Sequence, residues 1–177
     1  ITNCTISGNS ATNGGGIYCG TSSPTITNCT ISNNLATSGG GIYCYFSSPT
    51  VVNTILWDDS SSEIYLDNSS ITITYSNIKG SWTGTGNINV DPLFAGSGNY
   101  HLTANSPCID TGTSTGAPAN DIDGDTRPQG AGYDMGADEY PRILPANILI
   151  TPTIGTVGSA VTVIGSGFIA NETVRVS

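Results

Sequence analysis

A repetition constrains this chain more than any other feature. Residues 1–25, ITNCTISGNSATNGGGIYCGTSSPT, are followed by residues 26–50 that match them at 20 of 25 positions. The exceptions are Gly8/Asn33, Ser10/Leu35, Asn13/Ser38, Gly20/Tyr45 and Thr21/Phe46. A tandem period of this length belongs to chains that stack one supersecondary unit on the next, and it outweighs local propensity. Within the unit, short runs of Ile, Thr, Val and Tyr are cut by Gly-Gly-Gly and Ser-Ser-Pro, as strands are cut by turns. No window has the i, i+3, i+4, i+7 spacing of an amphipathic helix. One unit of two or three short strands cannot bury a core alone; stacked on a copy it can.

Stacking predicts specific neighbours: Ile1 on Ile26 and Val51, Ile6 on Ile31 and Leu56, Ile17 on Ile42 and Ile64. Five residues separate Ile1 from Ile6, so strict alternation fails and a bend must lie between them. Asn3, Asn28 and Asn53 share the position beside that bend and are expected to form an amide ladder from coil to coil. Gly14–Gly16 and Gly39–Gly41 suit a corner that needs positive φ or close backbone approach. A degenerate third unit covers residues 51–70, with VVNTILW over ITNCTIS and EIYL over GIYC three residues early, and ITITYSNI at 71–78 opens a fourth that runs to residue 98.

The GGGIYC and SGNSAT segments resemble the Gly-Gly-x-Ile and x-x-Asn repeats of polymorphic outer-membrane-type proteins and related right-handed parallel β-helices. The fold implied is all-β: a right-handed parallel β-helix over residues 1–98. Further on, DPLF, YHL…SPCIDTG and DIDGDTRP…GADEY resemble the closing segment of microbial surface proteins with a "choice-of-anchor" β-helix. This implies an irregular closing segment over 99–140. A Pro-bearing linker, 141–148, leads into 149–177, whose alternating strands and Gly-Ser-Gly-Phe turn resemble the start of an immunoglobulin-like surface module. Some 30 residues are too few for a sandwich of about 100, so this part is expected to be partial or to lend strands to a partner. The first coil opens in register without a cap, which raises the expectation of head-to-tail stacking on another copy.

Charge narrows the function classes. The net charge is −9, the first charged residue is Asp58, and the basic residues are Lys79, Arg127, Arg142 and Arg175. Such a balance argues against nucleic acid and anionic membrane surfaces as partners, and no apolar run reaches the length of about 18 residues that a span needs. Low Lys and Glu with abundant Thr, Ser, Asn and Gly suit an exported, cell-surface or extracellular protein. Five cysteines, Cys4, Cys19, Cys29, Cys44 and Cys108, have no C-x-x-C or Cys/His pattern for zinc. They are compatible with buried thiol ladders or with Cys4–Cys19 and Cys29–Cys44 disulfides.

The candidate chemistry lies in the closing segment. Asp121, Asp123, Asp125, Asp134, Asp138 and Glu139 place six carboxylates within 19 residues, beside Arg127. Alternate Asp residues around Gly124 offer hard oxygens of the kind calcium takes, although the spacing is not that of an EF-hand. The competing reading is a turn in which these carboxylates accept backbone amides. Catalysis is not expected. Asp58-Asp59 lacks the His-Gly and Arg-x-Lys that polygalacturonase-like β-helices carry, Lys79 is the one base candidate in the coils, and His101 is read as structural. Tyr45, Phe46, Trp57, Tyr75 and Trp82 would stack sugars if exposed in a strip, but Trp57 and Trp82 are expected to cover core. Asn68 and Asn171 are the better glycan acceptors among the Asn-x-Ser/Thr sites, since Asn3 and Asn28 belong to the ladder. The expected function is a non-catalytic structural or adhesive solenoid whose partners are other copies or surface modules. A carbohydrate-binding or polysaccharide-processing β-helix is the rival.

Overall fold

In a computed structural model, residues 1–141, 147–151 and 162–166 are described, the last two stretches as backbone strands. Ten short strands form the coils: β1 (Thr5–Ser7), β2 (Ile17–Gly20), β3 (Thr25–Thr27), β4 (Thr30–Ser32), β5 (Ile42–Tyr45), β6 (Thr50–Val52), β7 (Ile55–Trp57), β8 (Ile64–Asp67), β9 (Thr72–Thr74) and β10 (Asn77–Ile78). They pair into three parallel sheets, β1-β4-β7-β10, β2-β5-β8 and β3-β6-β9. The register is the one the repeat dictates: Ile6 on Ile31 on Leu56, Ile17 on Ile42 on Ile64, and Ile26 on Val51 on Ile73.

Period-2 alternation sends these side chains inward. Ile26, Ile31, Ile42, Val51 and Leu56 are fully buried in one continuous core inside the solenoid. Each such burial stabilises by about 1.5–3 kcal/mol. Cys19 and Cys44 are register partners, and all five cysteines are free thiols. Burial pushes the Cys29 and Cys108 thiols up to about 11, so they behave as small core side chains.

The corners explain why certain residues recur. Asn3, Asn28, Asn53 and Tyr75 all have φ near +50 to +60°, with values of 59, 48, 49 and 49°. Asn tolerates this left-handed region better than other non-glycine residues. Gly14 and Gly39 turn a second corner with φ of 65 and 62°. Beside them the backbone is close: a Cβ on Gly16 would lie 2.7 Å from Gly41 O and 2.9 Å from Ile31 Cγ2. The third coil is three residues shorter, because Ile42 pairs with Ile64 while Thr30 pairs with Ile55.

The expected asparagine ladder is only partly a ladder. Asn53 Nδ2 donates to Asn28 Oδ1 at 3.2 Å, but the remaining amide bonds of this column reach the closing segment. Asn53 donates to Thr113 O (2.7 Å) and accepts from Thr113 N–H (2.8 Å); Asn28 donates to Asp134 O (3.2 Å); Asn3 donates to Asn120 O (3.0 Å). The main coil-to-coil ladder stands elsewhere, at Asn9, Asn34 and Asp59. Asn9 donates to Asn34 Oδ1 through N and Nδ2 at 3.1 and 3.0 Å, and Asn34 repeats the pattern on Asp59 Oδ1 at 2.7 and 2.9 Å. The reason is position: the Asn3 column sits on an outer corner, where its amides meet another piece of chain before they meet each other.

That piece begins with an antiparallel hairpin, β11 (Phe94–Gly96) and β12 (Asn99–Leu102), so closing structure starts a few residues ahead of 99. It packs over the outer face of the β1-β4-β7-β10 sheet and forms a second core from Ile55, Leu102, Cys108 and Met135, flanked by Trp57, Tyr75 and Phe94. Ala137 N–H donates to Thr30 Oγ1 (3.1 Å) and Gly136 N–H to Asn53 O (2.8 Å). Residues Ile1–Pro141 form one compact unit and Arg142–Ser177 a second. In the second, β13 (Asn147–Thr151) pairs antiparallel with β14 (Thr162–Ser166), so the strand starts inside the expected linker. The rest of that linker, and most of the expected partial module, lie outside the described residues.

Candidate functional site

The six carboxylates of the closing segment are divided among different tasks. Asp121 accepts the amides of Asp123 (2.9 Å) and Asp125 (2.8 Å) on Oδ1 and that of Glu139 (2.9 Å) on Oδ2, which makes it the organiser of its own turn. Asp134 accepts Asp110 N–H and Tyr140 N–H, one on each oxygen, both at 2.7 Å. Burial nonetheless pushes its carboxyl up to about 7. Glu139 meets Arg127 at 2.7 Å with both side chains fully buried, and also accepts the amides of Gln129 and Asp134. Arg127 donates onward to Ala137 O (2.7 Å) and Gly136 O (3.1 Å). Asp125 is exposed.

Asp123 and Asp138 are the two that come together, and they do so with His101. One ligand atom from each of the three lies within 4.8 Å of the others. His101 Nε2 and Asp123 Oδ2 are 2.7 Å apart, and that contact raises the His101 pKa. Asp138 is buried, which raises its carboxyl, while Leu102 N–H donates to its Oδ2 at 2.7 Å. Composition gave no reason to single out His101; its place on β12, facing the acidic turn, is a consequence of the hairpin folding back.

A second acidic pair belongs to the coils. Asp59 and Glu63 are 8% and 7% exposed, and Asp59 N–H donates to Glu63 Oε1 (3.2 Å). Asp59 Oδ2 and Glu63 Oε2 are buried without a donor. Burial, reinforced by Asp59, pushes Glu63 up to about 9, and burial raises Asp59 as well. One proton on the pair resolves both orphan oxygens. The pair borders a groove of about 420 Å³ that also touches Lys79 and Trp82. Lys79 is paired with Asp58 and lies 5.7 Å over the Trp57 ring. The signal in the sequence was the replacement of Asn34 and Gly41 by Asp59 and Glu63 at the same stacked positions.

The outer wall of the β2-β5-β8 sheet carries Tyr18, Tyr43 and Tyr65 as a stack, with centroids 5.3 Å apart and interplanar angles of 6 and 9°. Tyr18 and Tyr65 are exposed, whereas Tyr43 between them is buried and its hydroxyl donates to Asp67 Oδ2 at 3.2 Å. Tyr45 and Phe46 form an exposed edge-to-face pair at 4.6 Å. Trp57 and Trp82 are half-buried against the two cores. Asn68 is exposed at a corner with φ 48°, whereas Asn28 is fully buried. Asn171 lies outside the described residues. Among the described residues no helix is long and apolar enough to cross a membrane.

Parallel coils in three sheets, with a lateral closing segment, define a β-helix protein. Residues 1–106 match the family model described as "Right handed beta helix region", and the chain belongs to that family. No curated protein and no solved structure matches the chain.

Proposed function

We propose that this chain is a non-catalytic structural or adhesive segment of an extracellular, microbial cell-surface β-solenoid. The observation that carries this reading is how the wall is made. Two of its ladders are uncharged: Thr25, Thr50 and Thr72 in register on one sheet, and the stacked tyrosines on another. Such a repeating, rigid surface suits contact with other copies or with neighbouring surface modules, because it presents many equivalent side chains at strand spacing. The resemblance of the coils to polymorphic outer-membrane-type repeats, and of the closing segment to choice-of-anchor proteins, supports the surface location. So does the low content of Lys and Glu.

The rival reading, a polysaccharide-processing β-helix, has one observation in its favour: the Asp59–Glu63 pair beside the Lys79–Trp82 groove. A raised carboxyl beside a second carboxylate is the equipment of glycoside hydrolysis. Against it, both groups are more than nine-tenths buried and tied to the Asn34 ladder. A glycan array followed by a reducing-sugar assay on a polysaccharide panel separates the two. The structural reading expects no new reducing ends from the wild type. Release of sugar that Glu63→Gln abolishes would replace it with the enzymatic one.

A further inference from the structure

We propose that His101, Asp123 and Asp138 form a binding site for a first-row divalent transition ion of the zinc kind, which ties three stretches of the closing segment to one another. The three residues come from separate stretches: the β12 strand, the acidic turn and the chain leading to Pro141. They meet at a cavity of about 320 Å³ that also touches Thr5 of the first coil, Tyr100 and Ile122.

The orientation of His101 is set from behind. Asn99 Oδ1 accepts the backbone N–H of His101 (3.2 Å) and also contacts its Nδ1. The first bond fixes the amide with its oxygen toward the ring, so Nδ1 carries a proton; Nε2 faces Asp123, and an ion there would take the place of the proton those two share. An outer-sphere acceptor on the far nitrogen is the arrangement that holds a ligating imidazole in its metal-binding tautomer.

Asp138 supplies the independent observation. It is 5% exposed; Leu102 N–H occupies Oδ2, and among the described residues no donor meets Oδ1. The residue lines the cavity. A carboxylate this deeply set gains from a cation that it can share with neighbouring ligands. No Lys or Arg borders the cavity, and His101 is its one basic side chain. Its neighbours Asp121, Asp134 and Glu139 have both oxygens filled, which sets Asp138 apart from the rest of the acidic cluster.

Ligand chemistry selects the ion class. An imidazole nitrogen with two carboxylates suits zinc and its neighbours, whereas calcium asks for six to eight oxygens. Three protein ligands leave one position open toward the cavity, for water.

The test is isothermal titration of the chelator-treated full chain with ZnCl2 and, separately, CaCl2, at pH 7.5. The proposal expects one saturable Zn2+ site per chain and Ca2+ binding at least about 100-fold weaker. His101→Ala and Asp123→Asn should each weaken Zn2+ about 100-fold or more, and Asn99→Ala about tenfold, as second-shell losses do. The His101 and Asp123 side chains are both half exposed, so both variants should keep the fold. Absence of saturable Zn2+ binding in the wild type would overturn the proposal, as would unchanged affinity in Asp123→Asn or equal affinity for Ca2+.

Discussion

Replacing Arg127 by Met should loosen the closing segment. Arg127 is 7% exposed, with its side chain fully enclosed. Its guanidinium donates to Glu139, Ala137 and Gly136, and reaches Asn3 Oδ1 at 3.4 Å. Met preserves most of the volume, so the loss is electrostatic rather than a cavity. Glu139 keeps two amide donors but loses its countercharge, and stranding one member of a buried pair costs about 3–5 kcal/mol. The freed carbonyls of Gly136 and Ala137 add to this without full additivity. Some relief comes from Arg127 Nε, a buried donor with no partner in the wild type. A net loss of about 4 kcal/mol, at about 2–4 °C per kcal/mol for a unit of this size, lowers the melting midpoint by about 8–16 °C. Tryptophan fluorescence during urea or thermal unfolding is the assay, because Trp57 packs in the second core under the closing segment. The double variant Arg127→Met/Glu139→Gln removes the stranded charge and should recover part of the loss. A single variant within about 1 kcal/mol of wild type would refute the reasoning, since the stranded-charge penalty is several times larger.

Two further outcomes follow from the same geometry. The Glu63 carboxyl is raised from an ordinary 4.5 to about 9, so the folded chain holds a proton that the unfolded chain releases. Its stabilising contribution is complete below about pH 4.5 and is lost as pH rises toward about 9, at up to about 1.4 kcal/mol per pH unit. Glu63→Gln should flatten that slope in urea midpoints at pH 5, 7 and 9; an unchanged slope would count against the shared proton. Asn53→Gly keeps the left-handed corner accessible while removing the amide that holds Thr113. Hydrogen exchange should accelerate in residues 111–115 and 134–137 with β4 and β5 unaffected, whereas acceleration throughout the coils would show a ladder role instead.

Much of the coil geometry was legible because repetition converts sequence position into spatial position. Ile17, Ile42 and Ile64 could be stacked from the text alone, as could the shortening of the third coil at EIYL. The Asn column is a ladder only at its Asn53–Asn28 step, and its other amide bonds go to the closing segment. A repeat reports what lies above and below a residue, and is silent about what docks from the side. Thr5, Thr30 and Ile55 carried a faint signal of that docking, since Ile replaces Thr at an outward position only where the second core covers it.

Repetition in the sequence defined the solenoid: a 25-residue period, with short Ile, Thr, Val and Tyr runs cut by Gly-Gly-Gly and Ser-Ser-Pro, leaves little choice in how the coils stack. The tertiary structure alone decided which of the acidic residues are structural and which are available. Asp121, Asp134 and Glu139 read the same as Asp123 and Asp138 in the sequence. Their difference arises from long-range contacts, the amides of Asp110 and Tyr140, the guanidinium of Arg127 and the imidazole of His101, which no periodic pattern encodes.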